Sequence, residues 1–487
     1  MAVNQRFPLF IVAFSIVTFF LTGCGGGNSL SFPPPQGGFT NANLTGAFAF
    51  SYIGTDGGGF LAVAGSFQAD GNGNITSGME DINSNLGIAT NAAITGTYTI
   101  RADGRGSATL KSTAGNTVID FVLVSGGHAL VTRFDANATG SGTIDQQTAS
   151  AFSNTALAGQ FAFSLTGIDG VGNPLGVVGT FTSDTAGNIT SGIDDSNDSG
   201  AAVTNDPLTG SLPVASNGRG TATINTVRGT STFAFYVVDS THIKLVETDT
   251  TSSLSLGGEA FRQTGPFSNA SANGSFAFTL AGADLLSAGP FAAGGILTAD
   301  GAGTITSGTE DFNDAGLVTT NVGLTGSYGI AANGRGTLSI VTGSGTFNFI
   351  IYPSSAGILV LETDINFLTE GTALQQTPPF SASSLSGTYG MNFTGATSNG
   401  ELDSVAEFTA DGASKFNGII DLNNVGGITF GQPLTGVFTT ASNGRSTITL
   451  KTSLGTQNMA FYSVNGTHAL FIELDNDLVA AGEIRHQ

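Results

Sequence analysis

Side chains able to do chemistry recur at matching places along this chain. Glu80-Asp81-Ile82-Asn83, Asp194-Asp195-Ser196-Asn197, Glu310-Asp311-Phe312-Asn313 and the reduced Asp421-Leu422-Asn423 each set a carboxylate two residues before an asparagine. Two readings fit that spacing. The oxygens make a shallow site for a cation or a sugar hydroxyl, or Asp and Asn cap the loop backbone through local hydrogen bonds. Arg105, Arg219, Arg335 and Arg445 occupy one hairpin tip in every copy. A guanidinium there either recognises a ligand carboxylate or pairs with the acidic loop of its own domain, and the second is the expectation.

Other candidates weaken when the copies are compared. Asp70-Gly71-Asn72-Gly73-Asn74 resembles the start of a calcium loop, but its counterparts at Asp184, Asp300 and Asp411 lose the alternating oxygens, and Lys415 adds a cation. A plain hairpin turn is expected there. His128, His242 and His468 share a turn position that holds Gly357 in the third copy, and no Gly-x-Ser-x-Gly elbow exists. Neither a catalytic centre, a metal site nor a cofactor site is selected. An enzyme would need one copy to have diverged into a site without a motif.

These residues sit on a fourfold repeat. Gly46, Gly159, Gly274 and Gly387 open similar alternating strands, and each unit closes on a polar strand ending at Gln147, Gln263, Gln376 or Gln487. Similar short joints at Phe152-Ser153, Phe267-Ser268 and Phe380-Ser381 predict an ordered string of domains. The units are 44–152, 153–267, 268–380 and 381–487, each about 110 residues. In the first, alternation predicts strands at 47–53, 60–69, 73–81, 93–102, 105–113, 116–125, 129–136 and 140–147. Asp-Gly and Asn-Gly pairs at Asp103-Gly104, Asn217-Gly218, Asn333-Gly334 and Asn443-Gly444 mark hairpins, because both residues accept positive φ.

No stretch of the four units has a helical apolar period, so the fold class is all-β. Eight strands in short hairpins predict an eight-stranded up-and-down barrel per unit, in the general style of lipocalin and avidin barrels, whose motifs are absent. Closure would remove sheet edges. An immunoglobulin-like sandwich is the alternative, with longer Greek-key crossings than this spacing offers. Phenylalanines at Phe48, Phe50, Phe161 and Phe163 share a strand face with Tyr52 and Leu165. Packed core is the expectation for that face, and a greasy cavity the other reading.

Only 10% of residues are charged and the net charge is −21, with 14 basic residues against 35 acidic. Phosphate binding needs Lys and Arg, so nucleic acid is excluded as a partner. One Cys rules out a disulfide framework and a Cys-rich zinc site.

That Cys follows an apolar run, Leu9 to Leu21, shorter than the ~20 residues a membrane-spanning helix needs. Leu21-Thr22-Gly23-Cys24 resembles the lipobox of bacterial lipoproteins. The resemblance implies a signal peptide over 1–23, lipidation of Cys24, a Gly/Pro-rich tether over 24–43, and a place in the cell envelope. Gly25 after the Cys implies the outer membrane, facing the periplasm or the surface. The full pattern also resembles uncharacterised repeat lipoproteins of bacteria, which implies no activity. The leading expectation is a multivalent binding or structural module for a surface polymer, glycan or protein. The alternative is a carrier of small apolar ligands inside the barrels.

Overall fold

The computed structural model describes residues 38–251 and 254–487; the signal segment, Cys24 and most of the tether lie outside them. Four closed antiparallel barrels follow one another, as the alternation predicts. Barrel 1 is formed by β1 (Thr45–Asp56), β2 (Gly59–Asp70), β3 (Asn74–Ser84), β4 (Gly87–Ile100), β5 (Arg105–Ser112), β6 (Gly115–Ser125), β7 (His128–Arg133) and β8 (Ala138–Gln146). Each strand pairs with the next, and β1 pairs with β8 to close the sheet. Barrels 3 and 4 repeat this order. In barrel 2 the fourth strand is interrupted into Ala201–Pro207 and Thr209–Ser211, and closure is kept by the pairing of Pro174–Ser183 with Asn188–Asp198.

Inward-facing residues build one core per barrel. In barrel 1 these include Phe48, Phe50, Tyr52, Leu61, Val63 and Phe67. One end of each barrel is sealed by its linker: Leu44, Leu157, Ala272 and Leu385 belong to the four cores. In barrel 1 the seal includes Phe39–Asn43, which the sequence assigned to the tether. The Phe39 N–H donates to Ala102 O and the Tyr98 hydroxyl to Leu44 O. The opposite end carries the turns between strands one and two, three and four, five and six, and seven and eight.

The barrels do not form an open string. The outer faces of β1 and β2 carry Ala49, Ala62 and Ala64, which pack on Ala234, Tyr236, Val238 and Val246 of barrel 2. Small side chains let the two sheets approach closely. The same joint recurs between barrels 2 and 3 around Tyr352, and between barrels 3 and 4 around Tyr462. A fourth joint sets Val405 of barrel 4 against Val122, Val124 and Leu130 of barrel 1. The four barrels therefore close into a ring. Because one joint repeats, all four turn-bearing ends open on one face of the ring.

Candidate functional site

The twelve recurrent polar residues converge, but not on an open site. Each arginine leaves a tight hairpin whose preceding glycine has positive φ, +85° at Gly104 and +82° at Gly218. It then reaches the acidic pair of the neighbouring barrel, not of its own as expected, and that pair lies within the third strand (Asn74–Ser84 in barrel 1) rather than in a loop after it. Arg219 Nη2 lies 2.7 Å from Asp81 Oδ1, Arg335 Nη2 2.6 Å from Asp195 Oδ1, and Arg445 Nη2 2.7 Å from Asp311 Oδ1. Arg105 closes the ring, with Nη1 3.1 Å from Asp421 Oδ2. In the first three joints a buried tyrosine of the arginine's own barrel, Tyr236, Tyr352 or Tyr462, donates to the same carboxylate. Burial, then the charge of Asp81 and the hydrogen bond to it, push the Tyr236 hydroxyl well above its ordinary range.

The asparagines act at the same joints. Asn83 Nδ2 donates to Glu247 O and Leu254 O, and Asn197 Nδ2 to Glu362 O and Phe367 O. Asn313 Nδ2 donates to Asp475 O and Leu478 O, and Asn423 Nδ2 to Arg133 O and Ala138 O. All four cross to the next barrel, the last from barrel 4 to barrel 1. The repeat-ending glutamines do likewise: Gln147 Nε2 donates to Val237 O, and Gln487 Nε2 to Leu123 O at the closing joint. Lys244, fully buried, ties barrels 1 and 2 through Asp145 at 2.9 Å and Glu259 at 2.6 Å.

The closing joint differs in its chemistry. Val122 stands where the others have tyrosine, and Arg105 is shared with Asp103 at 3.1 Å. Its carboxyls are more numerous: Thr139 Oγ1 donates to Asp403 Oδ2 at 2.7 Å, and burial, then Asp103, push Glu407 up to about 7.

The calcium-like turn is occupied by its own backbone. Asp70 Oδ1 accepts from the N–H groups of Asn72 (2.7 Å) and Asn74 (3.0 Å). Among the described residues no group of three His, Cys, Asp or Glu converges to hold a metal.

Open space lies instead inside two barrels, where packed core was expected. Barrel 3 holds a cavity of about 420 Å³ and barrel 2 one of about 510 Å³, both within the range of small-molecule sites. One position accounts for much of the difference between copies. Tyr52 and Phe393 fill it in barrels 1 and 4, whereas barrels 2 and 3 have Leu165 and Leu280. Barrel 3 also has Ala293 and Leu297 where barrel 1 has Val63 and Phe67. The cavity reaches the open end at Ser344, Gly345 and Thr346.

Titratable groups face both cavities. In barrel 2, Asp194 is pushed up to about 7 by burial, against Arg228, whose Nη2 lies 2.6 Å from Asp194 Oδ2. In barrel 3, burial, with Asp311 second, brings Glu310 to about 7. Burial also brings Glu362 to about 8; Asp364 and Glu310 add to this, and a hydrogen bond from Thr369 Oγ1 opposes it. Sequence reasoning flagged Asp311 and passed over its neighbour Glu310, which points the other way. Period-two alternation distinguishes them once one face is known to meet another barrel.

No protein-family model and no curated protein matches the chain. Solved structures give nine matching chains. One is a crystal structure of isotype 1 transferrin binding protein B from serogroup B Neisseria meningitidis, at 10% identity over 74% of this chain and 84% of that one, with a TM-score of 0.19. A likeness at that score carries no statement about function.

Proposed function

We propose that this chain is a cell-envelope binding protein, tethered through a lipidated Cys24, that holds small and mainly apolar ligands in the lumens of barrels 2 and 3. The observation that carries this reading is the pair of hollow barrels, with Leu165 and Leu280 where the other copies place aromatic rings. Sealed at one end and open at the other, each is a cup of ligand size. The tether enters barrel 1 at the sealed end, beside Ala102.

The test is displacement of a lipophilic fluorescent dye from the mature protein. Two sites per chain are expected, with Leu165→Tyr and Leu280→Tyr each removing one. Absence of dye binding, or stoichiometry unchanged by both substitutions, would overturn the reading. Loss of membrane partitioning in Cys24→Ala tests the anchor separately.

A second reading, multivalent attachment to a surface polymer, glycan or protein, draws on the rim. Leu86, Val171, Val227, Leu286, Leu317, Ile365 and Leu454 are exposed at turns of the open ends, from all four barrels. Sedimentation with isolated cell wall, lost on changing Val171 and Leu317 to Asp, would favour it.

A further inference from the structure

We propose that the lumen of barrel 3 takes an organic ammonium: an apolar body carrying a protonated amine, with the amine held between Glu310 and Glu362. This rests on the reading of the lumen as a ligand site and narrows it to a chemical class.

The first observation is a missing cation. Glu310 lies on the third strand and Glu362 at the end of the seventh, and both line the cavity. Glu310 is among the groups that raise Glu362, after burial and Asp364. None of the residues lining this cavity is Lys, Arg or His. The other copies treat the third-strand position differently. Barrel 1 has Glu80 with Arg133, and Arg133 is among the groups acting on Glu80. Barrel 2 has Asp194 with Arg228 on it at 2.6 Å. Barrel 4 has Ile420, fully buried, in place of the third-strand carboxylate. At the third-strand position two copies supply an arginine and one removes the carboxyl, while barrel 4 keeps buried Glu473 at the seventh-strand position. Barrel 3 alone turns carboxyls from both positions into an open cavity with no arginine beside them.

The second observation is the wall. Phe291, Phe312, Phe347 and Phe367 stand around the same cavity. Phe291 stacks on Phe312 at 5.9 Å and meets Phe367 edge-on at 5.3 Å, while Phe347 meets Phe367 at 6.0 Å. Aromatic faces attract a desolvated ammonium through the ring quadrupole and receive an apolar body equally well. Carboxylates within an aromatic collar discriminate a cation from a neutral molecule of the same shape. An anion is repelled by both.

The experiment uses two probes of one skeleton, 4-phenylbutylamine and 4-phenylbutanol, titrated calorimetrically into the full mature chain at pH 8. The amine is expected to bind at least tenfold tighter than the alcohol. Glu310→Gln with Glu362→Gln should abolish that preference while leaving the alcohol's affinity within threefold. Leu280→Tyr, filling the space as Tyr52 does, should remove the barrel 3 site for both, and melting curves check that each variant is folded. Equal affinity for amine and alcohol, or an amine preference surviving the double substitution, overturns the ammonium assignment and leaves the hollow-barrel reading standing. Binding of neither probe overturns both.

Discussion

Arg445→Met, paired with Asp311→Leu in a double-mutant cycle, tests whether the charges that recur in the repeats join neighbouring barrels. Asp311 has no exposed surface and accepts from Arg445 Nε and Nη2, both at 2.7 Å, from Tyr462 Oη at 2.7 Å and from Asn321 N at 2.9 Å. Arg445→Met leaves a buried carboxylate with two donors. Breaking one partner of a buried ion pair costs about 3–5 kcal/mol, and the surviving bonds place this case near about 3. Asp311→Leu strands the Tyr462 hydroxyl and the Asn321 N–H and leaves Arg445 without its carboxylate, so about 3–4 kcal/mol in all. The double variant still strands those two groups but has no unpaired charge, so its cost stays near about 3–4 kcal/mol. Against a sum of about 6–7 for the singles, the coupling is about 3 kcal/mol, roughly 150-fold in an equilibrium constant. Urea unfolding followed by far-UV circular dichroism and tyrosine fluorescence reads it. A companion cycle with Asp421→Leu, the acidic residue of Arg445's own barrel, should be additive. Additivity within about 0.5 kcal/mol for Arg445 and Asp311, or a larger coupling to Asp421, would refute the assignment.

Further expectations follow from the same geometry. Arg105→Ala with Gln487→Ala, at the joint without a covalent linker, should raise the radius of gyration in small-angle scattering; Arg219→Ala with Gln147→Ala should not, and equal radii in both would count against a weaker closing joint. Glu310 at about 7, Glu362 at about 8 and Glu473 at about 9 are all raised, chiefly by burial. Groups raised in the folded state stabilise fully below their unfolded value near ~4 and lose that contribution as pH climbs through 7 to 9. Asp145 and Glu483 act oppositely: against burial, Lys244 holds Asp145 well below its usual range, and Arg485 with His468 holds Glu483 to about 2, so their contribution fades below about pH 4. Melting temperature should therefore fall from pH 6 to 9.5 and fall less in Glu362→Gln; a flat or rising profile would contradict the burial of these carboxyls. Glu310→Ile, copying Ile420, should stabilise the chain at pH 8 by about 1–3 kcal/mol as a urea midpoint shift, since it removes a buried carboxyl lacking a counter-ion; destabilisation there would show the lumen has no room for it.

Strands and closure were legible because alternation and Gly-bearing turns are local. Most predicted spans in barrel 1 fall within three residues of the observed ones, as with 105–113 against Arg105–Ser112, but the fourth, 93–102, misses the first six residues of Gly87–Ile100. The ring was not legible in the same way, since its pairings join residues such as Arg105 and Asp421, 316 apart in sequence. A signal was nonetheless present. Phe48-Ala49-Phe50 and Leu61-Ala62-Val63-Ala64 are apolar on both faces, which an isolated barrel with a wet exterior does not require. The hollow lumens required knowing that Tyr52 and Leu280 are equivalent and point inward, a comparison that only register makes exact.

The ring also bears on assembly. Each joint brings together two different surfaces, the first two strands of one barrel and the last three of the next, so the contact is heterologous and has no twofold symmetry to exhaust it. Such contacts propagate into filaments unless rotation brings the last unit back to the first. Here the fourth barrel returns to the first, with Gln487 seated against Asp103 and Leu123. A chain shortened by one barrel would expose both halves of the joint at once. Self-closure thus lets a mostly uncharged surface carry four adhesive faces without joining one molecule to the next.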